Sequence, residues 1–272
     1  MKVFCVLSDA RAFRSKSPAM HNAVLEQQGI NGVYVPFAVE PDRIGDAVRG
    51  LRALNIAGAN VTVPHKELVI PYLDTLSEEA SAVGAVNTIV IRGASLMGDN
   101  TDTGGFLDAL ERVDFSAAGK SVLVFGAGGV SKAVVVALGR LGPSEILLAG
   151  RNPHRTRHTA STFGAAASTF GSLTGRPIRS DLVVNATSVS SPGEDPKMAD
   201  FVSSLDLSHC ELVVDLNYGR DDNFWRELAT TSGALFMDGL PMLAHQARRS
   251  FALWTGIEVD AAIFMEPLKE NP

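Results

Sequence analysis

The residues best equipped to do chemistry gather at a few points of the chain. Gly126-Ala127-Gly128-Gly129-Val130-Ser131 follows the apolar run 121–125 and opens a stretch of helical periodicity. A strand, a glycine turn and a helix in that order suit a pyrophosphate. Gly126 can make the tight turn, Gly128 lets backbone N–H groups come close, and the helix amino terminus supplies positive potential. Small Ser131 stands where a third glycine is usual and still permits close helix–strand packing. The same glycines would also serve an ordinary turn, but their place between strand and helix favours a nucleotide.

The end of the next strand selects which nucleotide. An NAD site puts an acidic residue there for the ribose hydroxyls. Here Glu145 begins the strand 145–149, and its end carries Gly150 and Arg151 instead. Arg151 and Arg155, four residues apart, are expected to share a helix face and to offer guanidinium forks to a 2′-phosphate. The expected cofactor is therefore NADP, although two arginines can also be solvated surface charges.

Further polar groups collect at other predicted strand and helix ends. They are Ser15-Lys16-Ser17-Pro18-Ala19-Met20-His21-Asn22, Asn60-Val61-Thr62-Val63-Pro64-His65-Lys66, Gly84-Ala85-Val86-Asn87-Thr88 and Gly98-Asp99-Asn100-Thr101-Asp102. Two more are Asn185-Ala186-Thr187-Ser188 and the run 238–247, Asp238-Gly239-Leu240-Pro241-Met242-Leu243-Ala244-His245-Gln246-Ala247. Taken singly, each is a cap or a turn: Lys66 reads as a solvated charge at a helix start, Asp102 as a helix N-cap, and Ser15 and Ser17 as caps too.

The elements that must position these groups alternate along the whole chain. Strand-like runs fall at residues 3–7, 33–37, 57–61 and 86–91, the last entering a hairpin that ends at Met97. A second series follows Gly119, at 121–125, 145–149, 182–185 and 212–216, with helices at 130–141 and from Arg155 onward. Pro41 opens a helix whose Ile44, Ala47, Val48, Leu51 and Leu54 form an apolar stripe, and residues 239–254 carry another. The region 165–174 reads as a small-residue loop. This rhythm predicts a two-domain α/β protein: an N-terminal mixed or parallel α/β domain (1–101), a Rossmann-like nucleotide domain (102–237), and a C-terminal helical segment (238–272) packing back on the first.

Composition narrows the classes. The 272 residues include 46% hydrophobic and 20% charged side chains, enough apolar matter for real cores. Net charge is −6 and no basic run is present, so nucleic acid is not an expected partner. No apolar run reaches the ~18 residues of a membrane span, and residues 3–7 are too short for a signal-peptide core, so the expected location is cytoplasmic. Cys5 and Cys210 read as buried free thiols, and no metal-ligand spacing is seen.

Together the clusters, in this order, resemble the shikimate dehydrogenase family from nearly the first residue to nearly the last. The resemblance implies an enzyme of aromatic amino acid biosynthesis that reversibly reduces 3-dehydroshikimate to shikimate with NADPH, acting on a small molecule as a monomer or homodimer without a metal. It assigns the catalytic pair to Lys66 and Asp102, which would move a proton while hydride is exchanged at carbon. Ser15 and Ser17 would grip the substrate carboxylate with Tyr218 nearby, and Asn60, Thr62, Asn87 and Gln246 would hold ring hydroxyls. Cofactor contacts are implied at Gly126, Ala127, Gly128, Gly129, Val130, Arg151, Asn152, Arg155, Thr187, Gly239 and Met242. His65, His21 and His245 are left as structural residues.

The chain departs from the family pattern in three places. Gly150-Arg151-Asn152 replaces Asn-Arg-Thr or Asn-Arg-Ser, Gly219-Arg220-Asp221-Asp222 replaces a proline-containing continuation after Tyr218, and Val189-Ser190 follows Ser188 where glycine is common. Rival readings are an NAD-dependent quinate/shikimate dehydrogenase and a noncatalytic sensor of the same ligands. Ser17, where quinate users tend to carry Thr, disfavours the first, and retention of Lys66 with Asp102 disfavours the second. A glycine-loop methyltransferase is disfavoured by Arg151.

Overall fold

Apolar runs become strands wherever both faces can be covered, and this chain does so twice. The computed structural model describes residues 1–269 and divides into two units, Met1–Phe106 with the chain from Leu243 onward, and Leu107–Met242. Boundaries drawn from sequence after residues 101 and 237 precede these crossings, because both crossings lie inside continuous helices rather than in polar linkers.

The first unit runs β1 (Lys2–Ser8), α1 (Ser17–Gln27), β2 (Gly32–Ala38), α2 (Ile44–Ala53), β3 (Gly58–Val61), β4 (Thr75–Leu76), α3 (Glu78–Val83), β5 (Thr88–Arg92), β6 (Ser95–Asp99) and the start of α4 (Asp102–Arg112). Its sheet has the order β2-β1-β3-β5-β6-β4. β1 is parallel to β2 and β3, whereas β5 is antiparallel to β3 and β6. Residues 4–8 of β1 are buried, as a central strand covered on both faces requires. Pro41 opens a short 3₁₀ turn, and α2 begins only at Ile44, burying Ile44, Val48 and Leu51.

The second unit runs β7 (Ser121–Phe125), α5 (Gly129–Leu141), β8 (Glu145–Ala149), α6 (Pro153–Thr162), β9 (Ala166–Ser168), β10 (Leu182–Asn185), α7 (Pro196–Ser203), β11 (Leu212–Asp215), α8 (Phe224–Ser232) and β12 (Leu235–Met237). All six strands are parallel in the order β12-β11-β10-β7-β8-β9. This is the doubly wound Rossmann order, whose switch point between β7 and β10 is the place where such sheets take dinucleotides. The stretch 165–174 is not merely a loop: it holds edge strand β9 and a 3₁₀ turn at Phe170–Ser172.

Helix α9 (Leu240–Thr255) crosses back into the first unit, followed by α10 (Ala261–Lys269), which packs on α1. Cys5 and Cys210 are buried free thiols, and burial pushes them up to about 12 and about 11. Among the described residues no helix is long and apolar enough to cross a membrane, and no group of three or more His, Cys, Asp or Glu could hold a metal ion.

Candidate active site

In the first unit a connected set of side chains closes around Lys66 and Asp102. Lys66 Nζ donates to Asp102 Oδ2 at 2.6 Å, and Asn87 Nδ2 donates to Asp102 Oδ1 at 2.8 Å. Asp102 is not the N-cap that its local sequence suggests; it is the first residue of α4, with its own N–H donated to Asn100 Oδ1. Both carboxylate oxygens are thus fixed, while Lys66 uses one of its three N–H donors on Asp102. The β5–β6 hairpin explains why Asn87 arrives here: pairing of Thr88 with Asp99 sets Asn87 beside the start of α4.

The network continues behind the pair. Asn87 Oδ1 accepts from the Thr101 N–H at 2.8 Å and from Thr88 Oγ1 at 2.9 Å. Gln246 Oε1 lies 3.4 Å from both Asn87 Nδ2 and Thr101 Oγ1. Ser250 Oγ, one turn further along α9, meets Thr88 Oγ1 at 2.7 Å, Thr101 Oγ1 at 3.1 Å and Asn60 Nδ2 at 3.1 Å. Asn60 Oδ1 accepts from the Tyr34 hydroxyl at 2.8 Å, so its amide is engaged inside the protein at both ends. Helix α9 reaches this depth because Gly105 has no Cβ: one built there would lie 2.8 Å from the backbone N of Gln246.

Ser15 and Ser17 flank the start of α1, where the Ser17 N–H donates to Ser15 Oγ at 3.2 Å. Thr62 follows β3, its N–H donated to Leu7 O. His65 is fully buried, with Nε2 2.9 Å from Val39 O, and so pins the turn that carries Lys66. His21 is buried too, stacked on Tyr34 at 4.4 Å beside Phe251, Trp254 and Phe264, and both its ring nitrogens lack partners. Burial pushes it down to about 3.

The second unit presents a different surface. Gly126 has φ +118°, and a Cβ there would sit 2.8 Å from Ala186 O, so this turn between β7 and α5 belongs to glycine. Space beside Gly128 is open, and Ser131 Oγ accepts the Gly128 N–H at 3.3 Å. Gly129 and Val130 open α5, whose first N–H groups have no partner within the helix. That is a cradle suited to phosphate oxygens.

The two arginines do not share a helix face as expected, because Asn152 caps α6 and leaves Arg151 outside it. Arg151 Nη1 lies 3.3 Å from Asp195 Oδ2, whereas Arg155 Nε donates to Ala127 O at 2.9 Å and braces the glycine turn. Asn152 Oδ1 accepts the Arg155 N–H at 3.0 Å.

Thr187 and Gly239 meet through a residue the sequence reading missed. Asn217 Nδ2 donates to Thr187 O at 2.9 Å, and Asn217 O accepts the Gly239 N–H at 3.0 Å. Tyr218 is the next residue, and Met242 is buried in the first turn of α9. Tyr218 belongs to the second unit and the other substrate candidates to the first. Asp238 caps α9 through the Leu240 N–H, with burial raising its carboxyl above the ordinary value.

A Rossmann sheet with a glycine cradle, in one chain with a unit holding a buried Lys–Asp pair, defines a nucleotide-dependent enzyme of two α/β units. Family profiles match at residues 11–89 (shikimate dehydrogenase substrate binding domain), 109–223 (shikimate / quinate 5-dehydrogenase) and 239–268 (shikimate 5'-dehydrogenase C-terminal domain). The shikimate dehydrogenase (NADP(+)) of Desulforamulus reducens is 41% identical over 266 residues, covering 94% of this chain and 91% of that protein. The crystal structure of the Thermus thermophilus shikimate 5-dehydrogenase in complex with NADP(H) and shikimate aligns with a TM-score of 0.86 at 34% identity, covering 99% of both chains. That of the Listeria monocytogenes enzyme, in complex with shikimate and NAD, aligns at 0.81 and 28% identity, covering 98% of this chain and 96% of that one. The chain belongs to the shikimate dehydrogenase family.

Proposed function

We propose that this chain catalyses the reversible NADPH-dependent reduction of 3-dehydroshikimate to shikimate. The observation that carries the reading is the Lys66–Asp102–Asn87 sequence of hydrogen bonds, buried in a member of this family. Oxidation of a secondary alcohol releases a proton from oxygen as hydride leaves carbon, so a positioned acid–base group must lie at that oxygen. Lys66 fits, because Asp102 holds one of its N–H donors and two remain for a substrate oxygen. Asp102 balances the ammonium charge and, locked by Asn87, keeps it aimed. Ser15 and Ser17 take the carboxylate, a role to which Tyr218 is also assigned, and Asn60, Thr62, Asn87 and Gln246 take the ring hydroxyls.

NADP, when bound, supplies the nicotinamide that accepts or delivers the hydride. The cradle of residues 126–130 suits its pyrophosphate, since a side chain at Gly126 would collide with backbone and the space at Gly128 is open. Arg151, Asn152 and Arg155 lie at the end of β8 for the adenosine side, and Thr187, Gly239 and Met242 for the nicotinamide side.

The test follows nicotinamide absorbance with shikimate or quinate, each paired with NADP or NAD. The expected result is the highest kcat/KM for shikimate with NADP. A best pair of quinate with NAD overturns the substrate and cofactor assignment. Binding of shikimate and NADP without turnover in any pair makes the chain a sensor instead.

A further inference from the structure

Two of the departures from the family pattern, Val189-Ser190 and Gly219-Arg220-Asp221-Asp222, lie in loops leaving the carboxyl ends of neighbouring strands β10 and β11. Ligands of open parallel sheets bind outside such strand ends, so the shape of these loops decides what a dinucleotide meets there. The two loops are joined in two layers. In the inner layer the buried Asp215 carboxylate accepts Asn185 Nδ2 at 2.8 Å and Asn223 Nδ2 at 2.7 Å, together with the Asn217 N–H at 3.1 Å. Asn217 Nδ2 crosses from one loop to the other, reaching Ser190 Oγ at 2.8 Å and Thr187 O at 2.9 Å.

The outer layer is built from charge. Arg220 donates to Glu194 Oε1 through Nε at 3.1 Å and Nη2 at 2.9 Å, and its Nη1 donates to Tyr218 O. Glu194 Oε2 in turn accepts the N–H groups of Ser190 at 2.8 Å and Ser191 at 3.1 Å. Two side chains therefore connect the main chain at Tyr218 to the main chain at Ser190 and Ser191. Burial alone would raise the Glu194 carboxyl; the Ser190 N–H and the Arg220 guanidinium outweigh it and hold it below its ordinary value.

We propose that the Arg220–Glu194 pair is a positioning clasp that sets the two loops, and with them Thr187, in register for the nicotinamide end of the cofactor. A proline would stiffen the loop after Tyr218 by fixing φ; here an ion pair does so by tying two backbones together. Neither residue touches the reacting atoms in this reading. The pair is about 30% exposed on each side, so its effect on global stability is small, and its effect falls on loop geometry. The proposal rests on the cofactor reading above for what the loops hold.

The experiment compares wild type, Arg220→Met, Glu194→Gln and the double variant without substrate. NADPH affinity is titrated by nicotinamide fluorescence, amide exchange is followed at Ser190 and Ser191, and melting temperature is recorded. Each single substitution should weaken NADPH about 10-fold, the size of one charge-assisted hydrogen bond. The double variant should be no worse than the worse single one, because both remove the same link. Exchange at Ser190 and Ser191 should quicken while melting changes little. Unchanged NADPH affinity overturns the clasp, whatever happens to exchange or melting, and so do fully additive losses in the double variant. Wild-type protein that binds NADPH but does not turn over shikimate overturns the functional reading alone, and the clasp is then decided by the affinities.

Discussion

Lys66 and Asp102 are 12% and 6% exposed, whereas Arg151, proposed above for a cofactor phosphate, is 67% exposed. The first unit surrounds its charges with neighbouring polar side chains: Asn87, Thr88, Thr101, Gln246 and Ser250 form one buried network. The second unit offers backbone shape at Gly126 and two guanidinium groups near the end of β8, Arg151 facing Asp195 and Arg155 donating to Ala127 O. Fixed, water-poor groups are suited to changing a rate, since they need no rearrangement during reaction. Exposed groups are suited to selecting a ligand, with energies reduced by solvent. Damage to the buried pair of the first unit should therefore appear in kcat, and damage to the exposed arginines of the second in cofactor affinity.

The largest break is expected at the pair itself. Lys66→Ala or Asp102→Asn should lower kcat by ~10²–10⁴ with NADPH affinity nearly intact, the usual scale of acid–base catalysis. The double variant should resemble the worse single one, as for residues acting together. Steady-state kinetics with a separate NADPH titration checks both, and near-wild-type turnover in either single variant removes the assignment.

Ser17→Ala comes next. Loss of one hydrogen bond to a carboxylate, roughly 1.5–3 kcal/mol, should cut kcat/KM for shikimate about 10- to 150-fold. Equal weakening of NADP binding would instead make the Ser15–Ser17 turn structural. Arg151→Ala sharpens the contrast from the other side. Its exposure and its pairing with Asp195 reduce the effect to about 10-fold in the NADP-to-NAD ratio of kcat/KM. An unchanged ratio means that the phosphate is held elsewhere. Installing Asp at Gly150 to favour NAD meets an obstacle, because a Cβ there would lie 2.5 Å from Thr156 Oγ1. Gly150→Asp should therefore shift the ratio toward NAD only when combined with Thr156→Ala.

The smallest effect concerns acid stability of the first unit. His21 is held neutral by burial to about pH 3, whereas the unfolded chain takes up its proton near 6.5. Its contribution is fully present above pH 6.5 and is lost as pH falls from there, by about 1.4 kcal/mol per pH step, until the folded form also protonates. His21→Phe should flatten the fall in denaturant midpoint between about pH 5 and 6.5. Identical pH slopes in the two proteins would show that His21 is solvated.

The sequence was most legible where apolar runs are long and doubly buried. Ser121–Phe125, Glu145–Ala149 and Leu182–Asn185 stand where expected. Strand β9 was illegible because Ala166–Ser168 has no side chain large enough to mark a buried face, and β4 and β12 are only two and three residues long. At the site, Lys66 and Asp102 were reached by resemblance, but Ser250 and Asn217 were not, and Thr88 was quoted with its cluster without a role. Hydroxyls and amides inside apolar patterns look like tolerated polar residues until the fold shows which donors face which acceptors. The i,i+4 spacing of Gln246 and Ser250 was the one available sign that both lie on the same face of α9.

Because the first unit takes up the chain again at Leu243, it is discontinuous, with the second unit inserted into it. A ribosome delivers Asn60, Thr88 and Thr101 long before Gln246 and Ser250, the residues that complete their hydrogen bonding. Buried polar groups are costly to leave under-bonded, so the polar interior around Asp102 is completed only once α9 has been made. The nucleotide unit, uninterrupted from Leu107 to Met242, has all of its own strands in hand first. Order of manufacture thus runs opposite to order along the chain: the half whose sequence begins first is the last to be finished.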